Sequence, residues 1–407
     1  MPFISPWSRV LCPICFNRFH MGQSPFRCIN PDATMCPYEP DLEWGRFLGR
    51  KRSVRGVEEF EPVPMRRILP ESARSLSRWI YTPHEVRCST CRVPTRARIC
   101  PECHNRLPPN LSEIKNRIVA VIGARAAGKS NFIAVLIKAL RERYAHGLSF
   151  VMWEHGQETL DKYERVYFNP LFRDHSVVPP TSTAATNEDI RIPLIYRLQF
   201  AARGMRQVRS IYLVLFDAAG EDMGDQQMWQ THLRYIRNAA GIIFLVNPLD
   251  YDTVRDKLPS GLPAGMFSTS RGKPHDSVVN VMNMFDRSAH SKIKVPVVFA
   301  FTKSDMLRHI VPDARFLKDS VHDGAFNRTD YAAVDDEIQA CIHDWDGPAF
   351  LDLVRGSFSN YSFSAVSAFG DAPRFDPVTN ALRINALAPI RVADPLLWLL
   401  KQEGHIR

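Results

Sequence analysis

The chain has 407 residues, of which 45% are hydrophobic and 23% charged, and these values exclude a wholly disordered or fibrous protein. Its formal net charge of +9 allows an anionic partner but identifies none. The sequence has no apolar run of about 18 residues, and its first residues lack the pattern of a signal peptide. We therefore expect a cytoplasmic protein that does not associate with membranes.

Cysteine and arginine dominate the N-terminal part. Eight of the nine cysteines lie within the first 103 residues, and residues 1–112 carry 17 Lys and Arg against 10 Asp and Glu. Three C-x₂-C pairs place two sulfurs each on tight turns, as tetrahedral Zn²⁺ requires. Taken in chain order, the cysteines predict two zinc sites: Cys12, Cys15, Cys28 and Cys36, then Cys88, Cys91, Cys100 and Cys103.

Other ligand assignments remain open at this stage. His20 or His104 could replace one sulfur, the pairs could interleave across the gap between Cys36 and Cys88, and an iron–sulfur cluster is an alternative to zinc. Disulfides are disfavoured in a cytoplasmic chain. Because each Zn(Cys)₄ site carries a charge of −2, two sites lower the net charge to about +5. For the remaining arginines we favour a solvated or protein-docking face over a nucleic-acid surface, since aromatic residues do not alternate with them.

Beyond residue 113, apolar strand-like runs alternate with helical stretches. This predicts an α/β fold, a mostly parallel sheet with helices on both faces. The predicted strands are 118–123, 192–200, 211–217, 241–247, 295–302 and 359–367, and the predicted helices are 129–147, 228–241 and 395–400. Only about ten residues separate the second and third strands, so we expect an antiparallel hairpin at an edge of the sheet. We assign 1–112 to a zinc-ribbon-like domain and 113–407 to the α/β domain.

Residues 123–130 read G-A-R-A-A-G-K-S and match the pattern G-x-x-x-x-G-K-[ST] between a strand and a helix. The glycines let the backbone curve around phosphates, while loop N–H groups and the helix dipole attract their charge. Lys129 is predicted to reach the β- and γ-phosphates, and the Ser130 hydroxyl to bind Mg²⁺. The predicted nucleotide contacts of this segment are Gly123, Ala124, Arg125, Ala126, Ala127, Gly128, Lys129, Ser130 and Asn131.

A D-A-A-G sequence follows the third predicted strand. Its Asp217 is predicted to hold Mg²⁺, directly or through water, and its Gly220 to contact the γ-phosphate. A threonine between the first helix and the second strand should complete the Mg²⁺ site. Thr181 is the first choice because two prolines precede it, and Thr183 and Thr186 are the alternatives.

Two further motifs indicate guanine. In T-K-S-D, after the fifth predicted strand, Asp305 can accept two hydrogen bonds from the guanine N1–H and amine, which adenine does not offer. Lys303 is expected along the base, and Thr302 beside the phosphate loop. In S-A-V-S, Ser364 and Ala365 are predicted near guanine O6. Ligands in open α/β sheets bind at this carboxyl edge of the strands.

Together, GARAAGKS, DAAGE, TKSD and SAVS resemble the motifs of P-loop GTPases of the translation-factor and Ras-like class over 114–370. The cysteine-rich front and the D-P-L-L-W-L-L ending resemble, more narrowly, the bacterial double-GTPase family. The resemblance implies GTP or GDP with Mg²⁺ as ligands, switch loops that contact a protein partner, and a role in a bacterial conflict or defence system.

Two residues depart from the class pattern. Thr302 replaces the usual Asn, and Glu221 stands where Ras-like proteins carry a water-orienting Gln. With Lys129, Glu221 and Thr181 as the predicted catalytic residues, we expect a regulatory GTPase that hydrolyses GTP slowly. Its two-zinc domain is expected to dock a protein. The alternatives are a nucleic-acid-directed P-loop NTPase with the zinc domain as reader, and a nucleotide-gated scaffold with little hydrolysis.

Overall fold

The computed structural model describes residues 5–54, 57–69, 82–112, 114–124, 126–179, 191–201, 209–217, 226–260, 262, 266–267, 274–285, 291–377 and 381–406. These residues divide into two compact units. The first, the cysteine unit, is drawn from Met1–Asn116, Ser182–Pro193 and Asp222–Tyr235. The second, the sheet unit, is drawn from Arg117–Thr181, Leu194–Glu221 and Ile236–Arg407. The described parts of two internal segments, 191–193 and 226–235, are therefore grouped with the N-terminal residues.

The cysteine unit is built from short strands. They are β1 Arg9–Leu11, β2 Arg18–His20, β3 Phe26–Arg27, β4 Tyr38–Asp41, β5 Lys51–Val54, β6 Val57–Phe60, β7 Val63–Arg66, β8 Ile68–Leu69, β9 Val86–Arg87 and β10 Pro94–Thr95. They form the antiparallel pairs β1–β2, β3–β8, β4–β7, β5–β6 and β9–β10. Helix α1, Leu42–Leu48, begins where the Asp41 carboxylate accepts a hydrogen bond from the Trp44 N–H.

The remaining described chain alternates strands and helices. Its strands are β11 Lys115–Gly123, β12 Phe150–Glu154, β13 Leu194–Phe200, β14 Arg209–Leu215, β15 Gly241–Val246, β16 Val297–Phe301, β17 Tyr361–Ala365, β18 Arg374–Asp376 and β19 Ala381–Arg383. Its α-helices are α2 Lys129–Ala139, α3 Ala145–Gly147, α4 Gly156–Lys162, α5 Gln226–Arg237, α6 Asp252–Arg255, α7 Pro274–Asn283, α8 Arg328–Asp346, α9 Ala349–Ser357 and α10 Asp394–Gln402. Two π-helical segments, Leu140–Tyr144 and Tyr163–Arg173, extend α2 and α4.

In the described chain the central sheet has seven strands, in the order β12-β13-β14-β11-β15-β16-β17. Strands β11, β15, β16 and β17 are parallel neighbours in turn, whereas β13 pairs antiparallel with both β12 and β14. The predicted α/β fold with a mostly parallel sheet is confirmed, and so is the antiparallel hairpin. The predicted position of that hairpin at the sheet edge is wrong. The five-residue strand β12, which closely follows α3 and which the sequence analysis did not recognise, pairs outside it.

Both faces of the sheet are covered by helices. Val298 and Ala300 of β16 face a core that includes residues of α2 and α10. Phe299 and Phe301, which alternate with them, meet the ring of Phe350 in α9 on the opposite face. Because both faces are buried, polar groups can act mainly from the loops that follow the strands.

Of the helices in the described residues, none is both long and apolar enough to cross a membrane.

Candidate nucleotide site and cysteine clusters

The loop that connects β11 to α2 requires its two glycines for different reasons. Gly128, immediately before α2, has a φ of +79°, a left-handed conformation that favours glycine. At Gly123 the cause is crowding, because a Cβ atom would stand 3.0 Å from the Leu245 side chain of β15 and 3.1 Å from Ala127. Ala126 also has a positive φ, of 61°. The loop is therefore bent sharply before the helix, as a phosphate-binding backbone must be.

A buried carboxylate lies beside the first turn of α2. Asp217 is 4% exposed, and its Oδ2 accepts a hydrogen bond from Ser130 Oγ at 2.7 Å. The Lys129 Nζ is 3.7 Å from Asp217 Oδ1. This Oδ1 atom accepts no hydrogen bond from any described residue. A buried carboxylate oxygen next to a hydroxyl is a donor set that suits Mg²⁺, so the residues present fit the predicted cation.

Tyr167 is a third contact of this carboxylate that the sequence analysis missed. Its hydroxyl donates to Asp217 Oδ2 at 3.1 Å, and its ring is 1% exposed. Tyr163, Tyr167 and Leu171 are all buried in the π-helical segment, and this four-residue spacing is indistinguishable in sequence from an ordinary core stripe. Nothing in the sequence distinguished Tyr167 from Tyr163 and Leu171.

Asp305 lies beyond the end of β16 and is 7% exposed. Burial raises the pKa of its carboxyl, and a hydrogen bond from the Ser367 hydroxyl opposes that rise. Ser364 and Ala365, which are predicted near guanine O6, are buried at the end of β17. The Ser364 hydroxyl makes no hydrogen bond with the described residues, whereas Ser367, two residues past the strand, reaches Asp305.

Thr302 and Lys303 also follow β16. The Thr302 hydroxyl donates to the carbonyl of Val246 at the end of β15, at 3.2 Å. Lys303 has a φ of +53°, and its ammonium donates to the carbonyl of Met266. The Asn247 side chain donates to the same carbonyl at 3.2 Å. Burial lowers the pKa of Lys303 to about 8. The lysine stem is thereby fixed next to Asp305 rather than extended into solvent.

Asn131, predicted to contact nucleotide, is engaged elsewhere. Its side-chain oxygen accepts a hydrogen bond from the Val178 N–H at 3.0 Å, which anchors the chain just before the predicted switch threonine. Within the loop, the Ala127 N–H donates to the carbonyl of Ala124 at 3.2 Å. Six predicted residues lie outside the part of the chain that the structure describes, and their roles stay predictions: Arg125, Thr181, Thr183, Thr186, Gly220 and Glu221.

The eight N-terminal cysteines form two clusters of four thiols. One contains Cys12, Cys15, Cys100 and Cys103, and the other Cys28, Cys36, Cys88 and Cys91. Within each cluster all Sγ atoms lie within 4.8 Å of one another, and contacts across the pairs range from 3.6 to 3.9 Å. Disulfide sulfurs are about 2.05 Å apart, whereas sulfurs around a tetrahedral Zn²⁺, at about 2.3 Å from the metal, stand about 3.8 Å apart. The thiols therefore fit zinc.

The contiguous grouping of the cysteines is wrong, and the interleaved alternative is correct. The reason is backbone pairing between distant segments. The Arg27 N–H donates to the Ala97 carbonyl at 2.8 Å, and the Ile99 N–H donates to the Pro25 carbonyl at 2.9 Å. These bonds align 25–27 with 97–99, so each half of the unit supplies one pair of sulfurs to each cluster. The alternative ligands are engaged elsewhere, His20 with the Trp7 carbonyl and His104 with Asp41.

The three C-x₂-C turns share one backbone geometry. The fourth residue after the first cysteine is Phe16, Arg92 or His104, and in each its φ is positive, at 59°, 60° and 54°. The N–H of each donates to the carbonyl of that first cysteine at 3.0 to 3.1 Å. Burial raises the pKa of the Cys36 thiol to about 12, and a bound cation would oppose that rise because a metal binds the thiolate form.

The Asp41 side chain contacts one residue beside each cysteine cluster. Its Oδ2 pairs with the Arg27 guanidinium and its Oδ1 with His104 Nδ1, both at 2.7 Å. Burial raises the pKa of this carboxyl, but the hydrogen bonds from His104 and Arg27 outweigh burial and hold the pKa well below its usual range. Arg27 adjoins Cys28 of one cluster and His104 adjoins Cys103 of the other. The ion pairs of Asp41 with Arg27 and His104 therefore link the chain next to one cluster with the chain next to the other.

Comparison with known proteins agrees with this geometry. Residues 117–345 match the profile of the family Double-GTPase 2. The chain belongs to this family. As a double-GTPase, it is a GTP-binding protein of the P-loop GTPase class, as its motifs predicted. A protein of Mycolicibacterium smegmatis named "Putative ESX-1 scaffolding and assembly protein SaeC" is 30% identical over 323 residues, which cover 75% of this double-GTPase and 80% of that protein.

Solved structures resemble the chain more distantly. The S. cerevisiae Ski7 GTPase-like domain, bound to GDP and inorganic phosphate, is 12% identical with a TM-score of 0.31. That match covers 72% of the double-GTPase and 50% of the Ski7 chain. The G domain of the T. maritima FeoB iron transporter is 10% identical with a TM-score of 0.22, covering 62% and 87%.

Proposed function

We propose that this double-GTPase is a switch that binds Mg²⁺–GTP after β11, hydrolyses GTP slowly and docks a protein partner. The proposal rests on the contacts that Ser130 and Lys129, at the start of α2, make with the Asp217 carboxylate. In that position a lysine can neutralise phosphate charge, while a hydroxyl and a buried carboxylate can hold a divalent cation. Asp305, on another loop that follows a parallel strand of the same sheet, supplies the base contact.

The roles of the chain's own groups follow from their chemistry. Ser130 and Asp217 would hold Mg²⁺, with Thr181 as the third oxygen donor, and the bound ion would neutralise charge on the phosphates. Lys129 would contact the β- and γ-phosphates, and the backbone of 123–131 would surround them. Glu221 would accept a proton of the attacking water, but a carboxylate cannot also donate to the transition state as Gln does, so slow hydrolysis is expected.

Base selection would depend on Asp305. Guanine would donate two hydrogen bonds to this buried, ionised carboxylate. Adenine lacks these donors and would leave the carboxylate oxygens unpaired, which disfavours ATP binding. The hydrogen bond from Ser367 favours the ionised form of this carboxyl by opposing the rise of its pKa. Lys303, fixed by the Met266 carbonyl, would lie along one face of the base.

A protein partner is favoured over nucleic acid by the surface of the cysteine unit. Trp7, Met35 and Tyr38 are 59%, 57% and 52% exposed, and these three residue types are enriched at protein–protein interfaces. The name of the M. smegmatis relative speaks of scaffolding and assembly. We propose an assembly role for this chain too, with two zinc ions in the cysteine unit supporting the docking surface. The defence role implied by the sequence resemblance stays a prediction.

Nucleotide competition and single-turnover hydrolysis test the proposal. GDP should displace a labelled guanine nucleotide and ADP should not, and Lys129→Ala should weaken GTP binding by roughly a hundredfold or more, since it removes a buried charge-assisted contact. Displacement by ADP as effective as that by GDP would refute the base assignment. Hydrolysis that stays undetectable with and without cell extract would instead favour the nucleotide-gated scaffold.

A titration with RNA and DNA at several salt concentrations tests the remaining alternative. Binding that weakens steeply with salt would show a phosphate-contacting surface. We expect no such binding at physiological salt, because four of the formal positive charges are offset when the eight sulfurs are thiolates on two zinc ions.

A further inference from the structure

We infer that Tyr167 is a positioning residue for the magnesium ligand Asp217. The inference rests on the proposed function, since it assumes that Asp217 holds the cation. No sequence motif marks Tyr167, and its role follows from the placement of three oxygen atoms in the described structure.

Two donors share one oxygen of the Asp217 carboxylate. Ser130 Oγ is 2.7 Å and the Tyr167 hydroxyl 3.1 Å from Oδ2. The other oxygen, Oδ1, accepts no hydrogen bond from the described residues and has the Lys129 ammonium at 3.7 Å. The terminal torsion of an aspartate is otherwise broad, and two donors on Oδ2 confine it. Oδ1 is thereby left to face a cation.

Of the two donors, Tyr167 is the one whose position does not depend on the cation. A serine hydroxyl rotates, and under the proposed function its oxygen is itself a ligand. The tyrosine ring is 1% exposed and lies 6.2 Å from the ring of Tyr163, nearly parallel to it. Its hydroxyl is therefore fixed by packing, and it keeps Oδ2 paired whichever way the Ser130 hydroxyl points.

The π-helical backbone around Tyr167 accounts for the contact of its hydroxyl with Asp217. Tyr163–Arg173 is π-helical, and π-helical turns occur frequently at functional sites. Tyr163, one turn earlier, donates instead to the backbone carbonyl of Ala134 in α2, at 3.0 Å. Both tyrosines are buried and both hydroxyls bond across to the nucleotide-binding half of the unit, but only Tyr167 touches the carboxylate. Tyr163 is therefore its matched control.

The experiment compares Tyr167→Phe with Tyr163→Phe in the full chain. Mn²⁺, which reports by electron paramagnetic resonance, is titrated into the GDP complex as a substitute for Mg²⁺. We expect Tyr167→Phe to bind Mn²⁺ about 10- to 100-fold more weakly, the usual loss when a partner of a metal ligand is removed. GDP affinity in EDTA should stay within about twofold of wild type, because the phosphate loop is unchanged. Tyr163→Phe should leave both affinities at the wild-type values.

Three outcomes would overturn the inference. They are wild-type Mn²⁺ affinity in Tyr167→Phe, an equal loss in Tyr163→Phe, and a loss of metal-free GDP affinity as large as the loss for Mn²⁺. The last two would indicate a packing role only. Phenylalanine fills the same volume as tyrosine without the hydroxyl, so both variants should fold. If wild-type protein bound neither GDP nor Mn²⁺–GDP, the proposed function itself would fail, a result distinct from all three.

Discussion

The cysteine unit and the sheet unit bury different kinds of side chain. In the sheet unit, β16 is apolar throughout, and the Phe299 ring packs against rings from β15, β17 and α9 at tilted or edge-on angles. In the cysteine unit the described strands are two to four residues long. One of its buried clusters consists of Phe26 and Leu69 around three thiols, those of Cys28, Cys36 and Cys88.

In the sheet unit, the carboxylates proposed to bind magnesium and base are distinct from the residues that form the apolar core. In the cysteine unit, the residues proposed to bind metal also belong to the buried interior. The sheet unit has a continuous apolar core, so it can carry Asp217 and Asp305 on loops beyond the strands without losing that core. In the cysteine unit the candidate metal ligands are themselves buried, seven of the eight fully so. Small units with little apolar core depend on such cross-links for their stability. Metal loss should therefore unfold the cysteine unit, whereas nucleotide loss should leave the sheet unit folded.

The largest expected effect is loss of zinc from chosen cysteine pairs. Cys15→Ser with Cys103→Ser should lower bound zinc from about two to about one ion per chain, because both sulfurs belong to one cluster. Cys15→Ser with Cys28→Ser should remove both ions and unfold the cysteine unit, since structural zinc contributes roughly 10 kcal/mol or more. Elemental analysis gives the stoichiometry, and circular dichroism the unfolding. The opposite pattern would restore the contiguous grouping.

Next in size is truncation of the sheet-unit core. Phe299→Ala leaves a cavity among four neighbouring rings and should lower the free energy of unfolding by about 3–5 kcal/mol. Denaturant unfolding measures the change, and Phe375→Ala, at a side chain 56% exposed, should change it by about 0.5 kcal/mol or less. Zinc content should stay at about two ions. A zinc loss in Phe299→Ala would show that the units are not stabilised separately.

A smaller effect is expected at the base contact. Asp305→Asn should weaken GDP binding by roughly a hundredfold, about 3 kcal/mol, because two charge-assisted hydrogen bonds are replaced by weaker or mismatched ones. The variant should bind xanthosine diphosphate better than wild type does, since the amide can donate to the xanthine oxygen. Competition titrations with GDP and xanthosine diphosphate measure this change in relative affinity. Equal weakening of both would indicate a damaged fold instead of altered selectivity.

The smallest expected effect is a pH dependence of the sheet unit. Burial raises the pKa of Asp335 from 3.8 to about 6, although its carboxylate accepts a hydrogen bond from the Phe363 N–H at 2.9 Å. The protonated form is thus favoured by folding. Its contribution to stability is complete below about pH 4 and is lost as the pH rises through about 6.

Urea unfolding of wild type and Asp335→Asn between pH 4 and 8 tests this. The difference between the two free energies of unfolding should change by about 1–2 kcal/mol below pH 6, allowing for the partial exposure of the side chain, and stay level above it. A difference that is level across the whole range would mean that Asp335 keeps an ordinary pKa.

Sequence patterns predicted the sheet well where the signal was local. The runs 241–247 and 295–302 became β15 and β16 because continuous apolar residues between loop residues suit a strand buried on both faces. β12 was missed because Phe150–Glu154 is short and follows helical residues closely, and only its pairing with β13 makes it a strand. The S-A-V-S motif was found after the sixth predicted strand, but its spacing gave no sign that the second serine, Ser367, hydrogen-bonds with Asp305.

By itself, the sequence determined which chemical groups this double-GTPase carries. Both the phosphate loop and the C-x₂-C turns are built from contiguous residues whose backbone geometry is local, so glycines, lysine, serine and cysteines at fixed spacing suffice to identify them. Only the tertiary structure decided which groups meet. The bonds between 25–27 and 97–99 assigned the sulfurs to two interleaved clusters. A π-helical turn brought Tyr167 to Asp217, 50 residues away, because contacts across a folded core have no fixed spacing in the chain.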